Sequence, residues 1–102
     1  MIKHVVIFKM KSNLPEETKR LNAMQLISEL KNLKKKIIQI KTLHTGINCN
    51  PENDHDIIFD MGFESMDDLK IYLNHPLRLN AINFFATVKE SKVCIDYEME
   101  KY

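Results

Sequence analysis

Segments of alternating apolar and polar residues at Ile2–Met10, Ile57–Glu64 and Val93–Glu100, together with helically spaced apolar residues at Leu21–Leu33 and Leu69–Val88, predict an α+β fold. With a further β-prone segment before Gly46 the element order is βαββαβ, the split βαβ, ferredoxin-like arrangement. It implies a four-stranded antiparallel sheet with both helices on one face and the other face bare. The chain has 102 residues, 44% hydrophobic and 28% charged, which fits one globular domain running from 1 to 102.

In the first strand Ile2, His4, Val6, Phe8 and Met10 share one face, and Lys3, Val5, Ile7 and Lys9 share the other. Asn13 then stands three residues before Glu16, with Pro15 between them, the pattern of an N-cap with acids at the positive helix end. The helix that follows is expected to bury Leu21, Met24, Leu26, Ile27, Leu30 and Leu33. Lys34, Lys35 and Lys36 close it, where the helix dipole favours cations.

Ile37, Ile38, Ile40, Leu43 and Ile47 read as the second strand, and Asn48–Asp54 as a surface loop. The third strand turns Ile57, Phe59, Met61 and Phe63 to the helix side and Asp56, Ile58 and Asp60 to the bare side. Ser65 with Asp68 forms a capping pair that opens a helix carrying Leu69, Tyr72 and Leu73. Pro76 has no N–H and drives His75 out of the α region, so this helix must break and restart through Leu77, Ala81, Phe84, Phe85 and Val88. In the last strand Val93, Ile95 and Tyr97 are the more apolar set and are assigned to the helix side, leaving Cys94, Asp96 and Glu98 on the bare side. On that assignment the lysines of the first strand face acids on both neighbours, and only Val5, Ile7, Ile58 and Cys94 make the bare face apolar.

Lys+Arg 15 against Asp+Glu 14 leaves a net charge of +1, too little basic excess for a nucleic-acid or anionic-membrane partner. No apolar run approaches a membrane span, and Cys49 and Cys94 follow no metal or redox spacing. A cytoplasmic protein with free thiols is expected. His44, Asp54, His55 and Asp56 cluster around a turn but lack closed ligand spacing, so no metal and no cofactor is assigned. Met24, Met61 and Met99 read as core filler.

The run Phe63-Glu64-Ser65-Met66-Asp67-Asp68-Leu69, then Tyr72 with Asn74-His75-Pro76, then Ser91-Lys92-Val93 and Asp96-Tyr97-Glu98, with the opening His4-Val5-Val6-Ile7-Phe8-Lys9, resembles the stress-responsive A/B barrel (Dabb) family over essentially the whole chain. That resemblance implies a dimeric α/β barrel, in which the bare sheet faces of two copies pack together and each chain keeps a helix-covered cavity. One branch of the family, plant polyketide cyclases, closes a linear chain by aldol condensation without a cofactor. Tyr72 matches that branch's tyrosine, and His4, His75, Phe59 and Met61 match positions that line or brace its pocket. The branch's catalytic histidine, three residues beyond the His-Pro histidine, is Arg78 here, and arginine cannot act as a base near neutral pH. Heme-degrading relatives of the barrel rely on a tryptophan, which this chain lacks.

Two functions are therefore expected. In the first, a homodimer binds a small apolar or aromatic molecule in a cavity roofed by Tyr72, His75 and the Leu77 helix and floored by His4, Phe8, Phe59 and Met61; Arg78 either clamps a ligand carboxylate or, the favoured reading, simply lies on the solvated side of its helix. In the second, a cofactor-free lyase or cyclase uses His75 or His4 as base and Tyr72 as donor. The residue side of the case also has plain readings. His75 can serve the helix break by bonding backbone, and His4, inward on its strand, needs a hydrogen-bond partner that Tyr72 or Tyr97 could supply.

Overall fold

The computed structural model describes residues 1–100; the expected domain end at 102 lies outside the described residues. Strand β1 (Ile2–Met10) leads into helix α1 (Glu16–Lys36), followed by β2 (Thr42–Ile47), β3 (Ile57–Phe63), α2 (Met66–Leu73), α3 (Pro76–Val88) and β4 (Lys89–Glu98). The strands form one antiparallel sheet in the order β2-β3-β1-β4. This is the ferredoxin-like α+β fold expected from the element order, with the second helix divided at the proline.

The core lies between the helices and one face of the sheet. Val6, Phe8 and Met10 of β1 and Ile57, Phe59, Met61 and Phe63 of β3 point into it, as the alternation predicts. Helix α1 contributes Ala23, Leu26, Leu30 and Leu33, spaced i, i+3, i+7 and i+10. This buried stripe differs from the expected one: Leu21 and Met24 are about half exposed. The helix is also capped differently. Pro15 is its N-cap, with no side-chain bond, and Asn13 lies outside it. Proline is suited to this place because a first-turn N–H has no intrahelical partner to lose.

Ile37, Ile38 and Ile40 are not in a strand. Ile37 is the C-cap of α1, and its N–H donates to the Leu33 carbonyl at 2.8 Å. Ile37 and Ile40 are buried while Ile38 is exposed, so β-branched residues here fill the core from a turn, and tertiary burial overrides local β preference. Strand β2 begins only at Thr42. The next strand needs a glycine at Gly62, where a Cβ would come within 2.2 Å of Thr42 Oγ1 on the neighbouring strand.

The last strand corrects a second expectation. Across β1 and β4, Val6 faces Cys94 and His4 faces Asp96, whereas Ile7 faces Val93, Val5 faces Ile95 and Lys3 faces Tyr97. Residues directly opposite in an antiparallel pair project to the same side, so Cys94 and Asp96 are on the helix side and Val93, Ile95 and Tyr97 on the open side. All of β4 beyond Lys89 is exposed, with Val93 and Ile95 at 55% and 61%. The open face thus carries Val5, Ile7, Ile58, Val93, Ile95 and Tyr97, far more apolar surface than the sequence pattern implied. Of the expected lysine–acid pairings there, Lys3 meets Asp60 at 3.1 Å; Asp96 and Glu98 are on the other face, and Lys9 instead meets Asp54 at 3.1 Å and Glu90 at 3.5 Å.

Candidate functional site

Two local devices build the site. At the start of α2, Ser65 Oγ accepts from the Asp68 N–H at 3.1 Å, the capping bond the sequence implied. Helix α2 then buries Leu69 and Tyr72 before stopping at Asn74. At the break, the His75 Nδ1 accepts from the Leu77 N–H at 3.2 Å, so His75 is the N-cap of α3, with Pro76 in the first turn. Arg78 ties the two helices together, donating from Nη1 to the Leu73 carbonyl at 2.8 Å, a group left without a partner where α2 ends.

A small cavity of about 70 Å³ lies between α3 and the β1–β4 half of the sheet. Its lining includes His4, Phe8, Phe59, Tyr72 and Arg78, five of the residues expected at the site, with Val6, Ile82 and Phe85 completing the apolar wall. Lys89 and Lys92 lie at its border with β4. Two expected residues are not among the lining. His75 faces its own helix N-terminus, and Met61 is fully buried in the core.

His4 is the chemically distinctive group. It is 6% exposed, and its Nδ1 lies 2.5 Å from Asp96 Oδ1 on the adjacent strand. A carboxylate oxygen accepts here, so Nδ1 carries a proton and Nε2 is the ring nitrogen left without a partner from β4. The partner is therefore Asp96 and not either tyrosine: Tyr97 is on the other face of the sheet. Tyr72 instead packs edge-on, with ring centroids 6.1 Å apart, and Phe59 does the same from the other side at 6.3 Å. These contacts fix the plane of the imidazole.

Tyr72 is 2% exposed and also packs on Phe63. Burial pushes its phenol above the usual range because the phenolate would lose its hydration, while the Arg78 guanidinium pulls it part of the way back. That guanidinium stands 5.7 Å from the Tyr72 ring centroid. The site therefore places a carboxylate-held imidazole, a neutral phenol and a cation around an apolar space.

Sequence reading missed Asp96, Lys89 and Lys92. The apolar alternation of β4 points Asp96 to the open face, and only the strand register reveals it beside His4. The acids around the 48–56 loop have other duties. Asp56 Oδ2 accepts from the Met10 N–H at 2.7 Å and Asp54 pairs with Lys9. Among the described residues no three His, Cys, Asp or Glu side chains stand close enough together to hold a metal ion.

The stress responsive A/B barrel domain model matches residues 2–99. The chain belongs to that family. No curated protein sequence matches it. Among solved structures, a dimeric protein of unknown function and ferredoxin-like fold from Bacteroides fragilis is 34% identical, covering 96% of this chain and 95% of its own, with a TM-score of 0.89. A protein from Arabidopsis thaliana is 26% identical over 100% of this chain and 98% of its own, with a TM-score of 0.84. A hydroxynitrile lyase from Passiflora edulis shares the fold at 20% identity, 99% and 94% coverage and a TM-score of 0.83. No helix among the described residues of this A/B barrel domain is long and apolar enough to cross a membrane.

Proposed function

We propose that this A/B barrel domain works as a homodimer whose helix-side cavity binds a small, partly apolar molecule with a hydrogen-bonding oxygen. The supporting observation is the convergence of His4, Tyr72 and Arg78 on an otherwise apolar space walled by Phe8, Phe59 and Phe85. Ligand sites have this make-up, few polar groups in an apolar lining, although they usually exceed about 300 Å³. The present 70 Å³ sets the ligand at a few heavy atoms, or requires Arg78 and α3 to move outward for a larger one.

The dimer reading rests on the open face. An exposed apolar sheet face of this extent is rare in a monomer, and the 34%-identical relative is described as dimeric. A hollow of about 490 Å³ beside Ile7, Ile58 and Val93 lies on this face, and a second copy would cover it. The free thiols Cys49 and Cys94 favour a reducing, cytoplasmic setting.

A second reading is supported by the Asp96–His4 pair. An imidazole oriented by a carboxylate is a competent general base, and Arg78 and Tyr72 could stabilise the oxyanion formed when it removes a proton beside a carbonyl. In this cofactor-free lyase reading His4 is the base and Tyr72 the donor, while His75 holds the helix break. The test is to incubate the protein in D₂O with acetone, acetophenone and benzaldehyde, following cavity resonances and deuterium entry next to the ketone carbonyls. Shifts at His4, Tyr72 and Phe59 are expected on binding. Deuterium entry that disappears in His4→Gln and persists in His75→Gln would establish turnover. Binding without exchange would leave a binding protein, and no shift with any of the three compounds would remove the site.

A further inference from the structure

The two lysines at the border of the cavity reach it through an irregularity in the sheet. From Ile2 to Lys9 the β1–β4 register runs regularly, with Phe8 opposite Lys92 and Lys9 opposite Ser91. It then slips by one residue, so that Met10 faces Lys89 and Glu90 is the extra residue. Without that slip Lys89 and Lys92 would project to opposite faces, because side chains alternate along a strand. With it, both stand on the helix side beside Phe8 and Met10. Glu90, the nearest acid in sequence, is turned away and engages Lys9 and Ser12.

The result is three cations on one small cavity. Arg78, Lys89 and Lys92 all line it, and among the described residues none of them forms an ion pair. Of the carboxylates that β4 turns to that side, Asp96 is taken up by His4 and Glu98 stands at the far end of the strand, opposite Ile2. Arg78 is held in place by the Leu73 carbonyl through one Nη, which leaves other N–H groups of its fork free to donate. Unpaired cations beside phenylalanines and an isoleucine form a site for an anion with an apolar body.

Building on the small-molecule reading above, we infer that the ligand class is a small organic carboxylate, its anionic group held by Arg78, Lys89 and Lys92 and its apolar part by Phe8, Ile82 and Phe85. The planar guanidinium fork matches a carboxylate, and the two lysines add charge without demanding geometry. His4 Nε2 and the Tyr72 hydroxyl then lie along the remaining wall, available to a second polar group of the ligand.

The experiment pairs acids with neutral isosteres. Isobutyrate and benzoate, and isobutyramide and benzamide, are titrated into the full-length ¹⁵N-labelled protein, reading the amide shifts of Arg78, Ile82 and Lys92. Each acid should bind about tenfold or more tightly than its amide, and raising salt should weaken the acids only. Lys92→Gln, on an exposed strand where folding is not at stake, should cut that preference by about threefold, and Arg78→Gln by more. Equal affinity of acid and amide, or a preference untouched in Lys92→Gln, overturns the carboxylate inference while leaving the cavity as a binding site. Silence with all four compounds overturns both.

Discussion

The two faces of this sheet are equally apolar in places, yet they have opposite fates. On the covered face Phe59, Met61 and Phe63 are at most 4% exposed beneath the helices, while its β4 edge and Ile47 at the end of β2 stay open. On the open face Ile58, Val93, Ile95 and Tyr97 are 42% to 61% exposed within the single chain. The difference teaches that apolar alternation tells which residues leave water but not which neighbour receives them. One face is completed by the chain's own helices; the other is the face proposed above to receive a second copy.

Substitutions on the two faces should therefore fail in different ways. The largest effect is expected from Phe63→Ala, which leaves a cavity in the covered core and should cost about 3–5 kcal/mol in urea unfolding. Ile95→Lys should hardly change the fold of one chain. It should instead raise the dimer dissociation constant by about a hundredfold or more, seen in sedimentation equilibrium, because a charge would be buried between two sheets.

Closer to the site, His75→Ala removes the α3 N-cap and should lower stability by about 1 kcal/mol with little effect on ligand affinity. The smallest effect is one of pH. The buried Tyr72 phenol has a raised pKa, so in the unfolded chain it ionises first, at its ordinary value near 10. Its contribution to stability is whole below that pH and is lost as pH rises from there through the folded value. Melting curves in that alkaline window should fall less steeply for Tyr72→Phe than for wild type.

Much of this was legible in the sequence, for identifiable reasons. Strands β1 and β3 have one face clearly more apolar, and Ser65 and Pro76 mark their helix starts by their own backbone chemistry. Strand β4 was not legible in the same way, because Val93, Ile95 and Tyr97 look like core residues and are interface residues on this account. That one inversion also hid Asp96 from His4. His4, Phe8, Phe59, Tyr72 and Arg78 could be gathered from the resemblance and the helix break, whereas Asp96, Lys89 and Lys92 depend on register and on a slip of one residue. Side-chain patterns carry periodicity, but register is fixed by pairing between strands far apart in sequence.

The division of labour between the two faces is tested most directly by sedimentation velocity on the wild-type chain at micromolar concentration. The account predicts a species of twice the 12.0 kDa chain mass, converted to a folded single chain by Ile95→Lys. A wild-type protein that sediments as one chain, with Val93, Ile95 and Tyr97 left in water, would contradict it.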